Sequence, residues 1–189
     1  VKVSMSECTA SVDKIAFIKK TSVAVENETS VRIKEPSGLR FKASIDNTER
    51  AEVSQYGFIV ARASDLSKAE LNHVNMNNGT IKAVEGIAYD KDQNIDIVFA
   101  TADDKTFFAA ALINIPEKSY LEKLSVRAFV KSGSVYSYSD VYTDTLAHAA
   151  QRIKDENGEL YKNNMEFIEK ILETVRKYET EFDISDLYN

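Results

Sequence analysis

The stretch Leu39-Arg40-Phe41-Lys42-Ala43-Ser44-Ile45 alternates apolar and polar side chains along its whole length. Successive side chains of a strand point to opposite faces, so this pattern predicts a half-buried strand with one face in water. The stretch Tyr56-Gly57-Phe58-Ile59-Val60-Ala61 is apolar at every position, which predicts a central strand covered on both faces. Gly57 predicts a β-bulge or the close approach of another backbone.

Strand patterns continue outward from these two stretches and are separated by turn residues. They cover residues 29–34, 81–89, 94–100, 106–115, 124–131 and 135–141. Residues 64–74 differ, because the spacing of Leu66, Ala69 and Leu71 predicts a short helix.

After Tyr142 the apolar residues recur at helical spacing. Asp144 is placed to cap a first helix, which ends at Asn157-Gly158 with the glycine suited to a left-handed C-terminal position. A second helix is predicted over residues 163–181, with an apolar stripe along one side. That stripe must be buried, either on the strands or under a partner chain.

These patterns together predict an α+β fold. It consists of a mainly antiparallel β-sandwich of immunoglobulin-like architecture, followed by two C-terminal helices. Residues 1–143 form the sandwich domain, with the short helix near residues 64–74, and residues 144–189 form a C-terminal helical extension packed on it.

Composition excludes several classes of partner and of stabilisation. The 189 residues carry 24 Lys+Arg against 30 Asp+Glu, and the resulting net charge of -6 argues against nucleic acid. No apolar run approaches the roughly 18–20 residues of a membrane span, so we expect no membrane insertion. Cys8 is the single cysteine, which excludes an internal disulfide and a cysteine-based zinc site. We expect a monomer.

Catalytic motifs are missing from the sequence. Only two histidines are present, His73 and His148, and we find no nucleophile elbow, P-loop, zinc-protease helix or dinucleotide-binding fingerprint. We therefore predict a protein that is not an enzyme. A glycoside hydrolase is the alternative, since two converging carboxyl groups at the right separation would suffice for it.

Three segments in this order resemble an extracellular module of surface and secreted proteins in anaerobic, often gut-dwelling Firmicutes. They are Gly38-Leu39-Arg40-Phe41-Lys42-Ala43, Tyr56-Gly57-Phe58-Ile59-Val60, and Val126-Arg127-Ala128-Phe129-Val130-Lys131 running into Tyr136-Ser137-Tyr138-Ser139. The resemblance implies an extracellular or cell-surface location and a role in adhesion or beside polysaccharide-degrading machinery. It brings no catalytic residues with it.

The chain opens on Val1 without a signal peptide, and we expect a mature or trimmed form.

An aromatic row is the first candidate site. Tyr136, Tyr138 and Tyr142 share one parity along the last predicted strand, and Phe129 and Arg127 share a parity on the strand before it. If the strand is regular, the three tyrosines project from one face and can stack on the apolar faces of sugar rings, while Arg127 hydrogen-bonds to hydroxyl groups. The alternative is that the C-terminal helix covers this face, because uncovered aromatic patches are uncommon on monomers.

An acidic loop is the second candidate site. Its oxygen-bearing side chains alternate as in an EF-hand calcium loop, and they are Asp90, Asp92, Asn94 and Asp96. Ile95 stands where that loop requires glycine, and Thr101 stands where it requires a bidentate glutamate. The sequence therefore favours a polar hairpin loop, and we expect no cofactor, with a weak structural calcium ion as the alternative.

Four arginines fall within strand patterns, namely Arg32, Arg40, Arg62 and Arg127. They can lie on a wet sheet face, pair with carboxylates or clamp an anionic ligand.

From all these features we predict a non-catalytic extracellular binding module, with a polysaccharide or a surface protein as its partner. The alternative is a protein-interaction or spacer module that uses its C-terminal amphipathic helix.

Overall fold

The structure, a computed structural model, describes residues 22–26, 29–46, 53–102 and 104–178, and for Phe99 only the backbone. Cys8, the outer parts of the two predicted domain ranges and the last residues of the predicted helix over 163–181 lie outside these described residues. Within them, the chain forms mainly strands up to residue 144, with short helical turns between some of them, and helices from residue 146 onwards.

Eleven strands are present in the described part of the chain. They are β1 (Val23–Val25), β2 (Ser30–Arg32), β3 (Gly38–Asp46), β4 (Gln55–Arg62), β5 (Ala83–Asp90), β6 (Ile95–Asp96), β7 (Val98–Ala102), β8 (Lys105–Ile113), β9 (Leu124–Ser132), β10 (Val135–Tyr138) and β11 (Tyr142–Asp144). All of their pairings are antiparallel. The predicted α+β class with a β-sandwich is confirmed.

The strands form two sheets. The five-stranded sheet has the order β1-β3-β8-β7, with β2 also paired to β3. The six-stranded sheet has the order β10-β9-β4-β5-β6, with β11 also paired to β9. The two stretches that the sequence singled out are β3 and β4, which lie in the interior of the two different sheets.

The main core lies between the sheets and follows from the alternation in β3. Leu39, Phe41, Ala43 and Ile45 are all buried, because β3 turns this row toward the six-stranded sheet. The ring centroid of Phe58 on β4 lies 6.5 Å from that of Phe41 and 5.0 Å from that of Phe108. Each such ring removes a large apolar area from water, which is the main stabilising contribution in a sandwich.

Gly57 occupies the position where two backbones approach closely. A Cβ atom built on it would lie 2.1 Å from the carbonyl oxygen of Gly86 on β5, so a larger residue cannot fit without moving the strand. The register between β4 and β5 shifts between Tyr56 and Gly57. The bulge and the close approach expected at this glycine are therefore both confirmed.

The helical part differs in detail from the prediction. Instead of one short helix over residues 64–74, there is a 3₁₀ turn at Ala63–Ser67 and a helix α1 at His73–Asn77. Three C-terminal helices replace the expected two, and they are α2 (Leu146–Glu156), α3 (Glu159–Asn163) and α4 (Met165–Tyr178). The extra break arises at Asn164, where the backbone leaves helical geometry.

The ends of α2 also differ from the prediction. Thr145, rather than Asp144, is the N-cap, and its side chain accepts a hydrogen bond from the backbone N–H of His148. Asn157, rather than Gly158, takes the left-handed conformation at the C-terminus, with φ of 47°. Asparagine tolerates that conformation because its short side chain can hydrogen-bond locally.

The apolar stripe of α4 is buried in the main core. Ile168, Ile171 and Leu172 belong to the same packed cluster as the strand residues Phe41 and Phe58. Burial of three such side chains contributes several kcal/mol, at roughly 1.5–3 kcal/mol for each. The described part of the helix packs chiefly against α2, which in turn contacts β2 and β3, so these residues of the stripe are buried within the chain.

Candidate functional site

The aromatic row expected on one strand is divided between two. Tyr136 and Tyr138 lie on β10 and pair with Lys131 and Phe129, whereas Tyr142 lies on β11 and pairs with Val126. From Tyr138 to Tyr142 the chain advances four residues, while the partner strand β9 advances three. One extra residue between β10 and β11 therefore turns Tyr142 to the opposite face, where it packs against the main core.

The outer face of the six-stranded sheet, which carries Phe129, Tyr136 and Tyr138, is called the aromatic face below. The segment that covers it is residues 63–82, called the cover segment, and not the C-terminal helix that the sequence suggested. The buried members of this second cluster are Ile59, Ala61, Leu71, Ile81 and Phe129. Phe129 is fully buried, so it lies beneath the surface and is not open to a ligand.

His73 of the cover segment is the centre of the aromatic face. Its ring stacks on Tyr136 with 4.1 Å between centroids and meets the ring of Phe129 edge-on at 4.6 Å. Its Nδ1 lies 2.7 Å from the Tyr138 hydroxyl and its Nε2 lies 2.9 Å from Oε1 of Glu85. A carboxylate, an imidazole and a phenol thus form one continuous chain across the sheet.

The Tyr138 hydroxyl is fixed by the same segment. It accepts a hydrogen bond from the backbone N–H of His73 at 3.1 Å, in addition to its contact with the imidazole. Burial raises the pKa of the Tyr138 hydroxyl above its ordinary value, and the hydrogen bond from the His73 backbone opposes that rise. The phenol is therefore held in its neutral form as a structural hydrogen-bonding group.

Arg127 holds the cover segment to the sheet. Its guanidinium pairs with Glu70 and donates to the carbonyl oxygen of Leu71, and its Nε donates to the carbonyl oxygen of Ser139 at 2.6 Å. The same guanidinium lies 5.0 Å from the ring centroid of Tyr138. With these partners within the fold, Arg127 has few donors left for a sugar hydroxyl group.

A second polar cluster joins the helices to the strands. The buried carboxylate of Asp144 contacts the Thr29 hydroxyl, the ring of His148 at 2.7 Å and the guanidinium of Arg152 at 3.6 Å. Tyr142 lies beside this cluster, where burial and then the charge of Asp144 raise the pKa of its hydroxyl. Both histidines of the chain are thus paired with a carboxylate, and the His73 ring is buried whereas the His148 ring is partly exposed.

The acidic loop between β5 and β6 is a turn organised by Asp90. Oδ1 of Asp90 accepts hydrogen bonds from the backbone N–H groups of Asp92 and Gln93 at 2.9 and 3.0 Å, and Oδ2 accepts from the amides of Gln55 and Gln93. The hydrogen bond from the Gln93 backbone is the largest cause of the lowered pKa of Asp90.

Asp90 is buried while Asp92, Asn94 and Asp96 are exposed, so the four residues do not converge as a calcium loop requires. In residues 22–178, leaving out the positions that the structure does not describe, no group of three or more His, Cys, Asp or Glu side chains is placed to hold a metal ion. The hairpin-loop interpretation fits this geometry. The four residues proposed as metal ligands instead include one turn-forming carboxylate and three solvated neighbours.

A groove on the flank of the sandwich is the feature that the sequence did not indicate. Its volume is about 550 Å³. It lies between the ends of β4, β5 and β9 in one sheet and the end of β8 in the other, and its lining includes Val60, Val84, Leu112, Ile115 and Leu124. A second hollow of about 330 Å³ continues from it along Lys118, Ser119 and Leu121.

Val84 shows why the groove is open. It pairs with Val60, which belongs to the main core, so both side chains face the opposite sheet. Val60 is 7% exposed but Val84 is 54% exposed. The sheets touch where Gly86 faces Ala110, since a Cβ built on Gly86 would lie 3.6 Å from that of Ala110. Beyond this contact the apolar interior is open to solvent.

The rim of the groove is positively charged. Three of the four charged lining residues are cations, namely Arg62, Lys82 and Lys118, and the fourth is Glu122. Arg62 pairs with Glu122 at 2.9 Å. The two lysines are exposed, and no ion pair joins them to another residue in the described part of the chain. This local excess of positive charge contrasts with the net charge of -6 for the whole chain.

Comparison with protein-family models, with curated proteins and with solved structures finds no match in any of the three. No helix among the described residues combines the length and the apolar character needed to cross a membrane. The function is therefore inferred from the geometry of the groove and of the aromatic face.

Proposed function

We propose that the protein is a non-catalytic binding module that takes its ligand in the groove on the flank of its sandwich. The observation that carries this proposal is the exposure of Val84, an inward-facing apolar side chain that is 54% exposed. Inward positions of a sandwich are ordinarily covered by the opposite sheet. An apolar hollow with a few polar groups at its rim is the usual form of a ligand site.

The polar clusters support binding rather than catalysis. His73 and His148 are each held by a carboxylate and by the surrounding fold, and neither is paired with a serine hydroxyl or a thiol in the contacts described above. A hydrolytic acid requires a raised pKa. The carboxyl groups of Glu85 and Asp144 each contact a histidine ring, and they lie in two separate clusters rather than converging on one cleft.

The proposal includes the setting that the sequence resemblance implies, a surface or secreted protein of anaerobic bacteria with an adhesive role. Support for it comes from the three segments that carry the resemblance, which form β3, β4 and the pair β9 and β10. Of these strands, β4 and β9 contribute residues to the lining of the groove. A polysaccharide or another surface protein is the class of partner proposed.

An amphipathic anion tests whether the groove is an accessible binding site. Anilinonaphthalene sulfonate combines an apolar ring system with one negative charge, and its fluorescence rises when it leaves water. We expect the full chain to bind the dye with saturable fluorescence. The variant Val84→Glu places a negative charge among the apolar lining residues and should abolish that signal.

The matched control is Val74→Glu, because Val74 is 71% exposed and lies on α1 of the cover segment. This variant should bind the dye as the wild type does. Equal binding by Val84→Glu and the wild type, or loss of binding in Val74→Glu alone, would overturn the proposed site. Circular dichroism of all three proteins verifies that each is folded.

A carbohydrate ligand on the aromatic face is a second candidate. The rings of Tyr136 and Tyr138 are only half-buried and lie within 13° of parallel, with centroids 6.0 Å apart. Partly exposed parallel rings are compatible with sugar stacking. A glycan array probed with the full chain, Tyr136→Ala and Val84→Glu separates the candidates. Binding that is lost only in Tyr136→Ala would assign the ligand to the aromatic face.

A further inference from the structure

Two strand edges beside the groove have no neighbouring strand in the described part of the chain. β5 pairs with β4 along its length, but β6 pairs only with Tyr89 and Asp90. β8 pairs with β3 along its length, but β7 pairs with it only between Lys105 and Phe108. Residues 83–87 of β5 and residues 109–113 of β8 are therefore free edges, and free edges are where an added strand pairs.

The relative position of these edges indicates where an added strand fits. β8 lies across from β4 and β5. A strand added to the five-stranded sheet next to β8 would therefore lie across from the outer edge of β5. β7 holds this position in the sheet only as far as Phe108. Over the remaining length no strand of the described part of the chain holds this position, and Val84, which is 54% exposed, faces it.

Resting on the proposed function, we propose that the ligand is an extended peptide that adds to the free edge of β8 along residues 109–113. Its backbone continues the five-stranded sheet where β7 stops. Alternate side chains of the peptide face inward and cover Val84 and Leu112. Main-chain hydrogen bonds supply affinity in this mode of recognition, and the pockets for alternate side chains supply specificity.

The charge at the groove indicates that the peptide is acidic at one end. Lys82 and Lys118 are exposed at the rim, near the end of β8, and neither forms a salt bridge in the part of the chain that is described. Lys82 lies close enough to Asp65 to contribute to the lowered pKa of that carboxyl group. Aspartate or glutamate side chains beyond the inserted apolar residues would lie beside the two lysines. Complementary charge of this kind speeds association and fixes the register of the partner.

The experiment uses two labelled eight-residue peptides in which valine and threonine alternate and two aspartates stand at either the N-terminal or the C-terminal end. Fluorescence anisotropy with the full chain should show saturable binding of at least one of them. The double variant Lys82→Glu/Lys118→Glu should bind about tenfold more weakly, which corresponds to two charge pairs of modest strength. Raising the salt concentration should weaken binding by the wild type but not by the double variant.

Three controls separate the possible outcomes. Lys162→Glu, at an exposed lysine of α3, should bind as the wild type does. A peptide with lysines in place of the aspartates should bind more weakly, and a peptide with N-methylated backbone amides should not bind, because it cannot pair with β8. Equal binding of the N-methylated peptide, or equal binding by the double variant, would overturn the proposal.

The dye experiment distinguishes this inference from the proposed function. Dye binding that depends on Val84, without binding of either peptide, would refute the peptide and retain the groove as a ligand site. If neither the dye nor the peptides bound, the proposed groove site and the peptide ligand would both be refuted.

Light scattering tests whether a second copy of the chain occupies the groove. A dimer that Val84→Glu converts to monomers would assign the groove to self-association and overturn the peptide proposal.

Discussion

The aromatic face and the groove lie on the same six-stranded sheet and differ in what covers them. On the aromatic face, the cover segment brings His73 and Leu71 into the cluster that contains Phe129 and the two tyrosines. At the groove, β7 stops before it reaches the position across from Val84. The aromatic face is therefore largely covered, with Phe129 buried and the two tyrosines half-buried, whereas the groove, lined by aliphatic residues, is open.

The comparison shows that residue type alone does not identify a binding surface. The Tyr138 hydroxyl is hydrogen-bonded to His73 and the Tyr136 ring stacks on the His73 ring, so both tyrosines take part in the packing of the fold although their rings stay half-buried. An aliphatic side chain of ordinary type becomes the candidate contact when the neighbouring strand ends too early to cover it. Exposure of apolar surface, rather than aromatic content, marks the place where binding removes the most surface from water.

Truncation of one side chain from each surface gives the largest expected difference. Phe129→Ala should lower the free energy of unfolding by about 3–5 kcal/mol, because it leaves a cavity beneath the cover segment. Val84→Ala should change it by less than about 0.5 kcal/mol, because that side chain is mostly in water. Urea unfolding followed by circular dichroism measures both. Similar losses in the two variants would contradict the assignment of one surface as closed and the other as open.

Removal of the imidazole should have the next largest effect. His73→Leu deletes the contacts with Glu85 and with the Tyr138 hydroxyl, and we expect a loss of about 1–3 kcal/mol in unfolding free energy. Val74→Ala, at the next residue, is the matched control and should cost much less, because Val74 is 71% exposed. If both substitutions lowered the unfolding free energy by the same small amount, the cover segment would not be held by His73.

Alkaline pH tests the Tyr138 hydroxyl. Its pKa is raised in the folded chain, so its contribution to stability is complete below about pH 10 and is lost as the pH rises above that value. Tyr138→Phe should cost about 1 kcal/mol at neutral pH and should reduce the loss of stability above pH 10. Only part of the alkaline loss should disappear, since burial also raises the pKa of Tyr120 and Tyr142. An unchanged alkaline profile would contradict a buried, neutral Tyr138.

Calcium should have the smallest effect. The turn that begins at Asp90 closes the other end of the open flank, where β6 pairs with β5. Because hydrogen-bond donors already occupy both carboxylate oxygens of Asp90, millimolar calcium should leave the thermal unfolding midpoint unchanged. Differential scanning calorimetry of the wild type and of Asp90→Asn measures this. If calcium raised the unfolding midpoint of the wild type but not that of Asp90→Asn, the turn would be a metal site.

The predictable features were those that depend on local sequence. The alternation in β3 and the bulge at Gly57 follow from side-chain period and from the space that a Cβ atom needs. The position of Tyr142 was not predictable in this way, because one extra residue between β10 and β11 reverses its face. Odd or even position in the sequence predicts the face that a side chain takes only while the pairing register of the strand is continuous.

The candidate site was less predictable than the fold because it depends on contacts between distant segments. His73 reaches Tyr138 across 65 positions of sequence, and no local pattern relates the two residues. The groove depends on where β7 ends relative to β8, which is a property of tertiary structure. Arg62, one of the four strand arginines that the sequence offers for an anionic ligand, lies at the rim, but one arginine does not predict an apolar groove.

The central claim is that ligands bind at the groove and not at the aromatic face. Two-dimensional amide NMR of the isotope-labelled full chain, titrated with anilinonaphthalene sulfonate, tests it most directly. We expect chemical-shift changes concentrated at Lys82, Val84 and residues 112–115. Changes centred instead on His73 and Tyr136, with the groove residues unaffected, would contradict it.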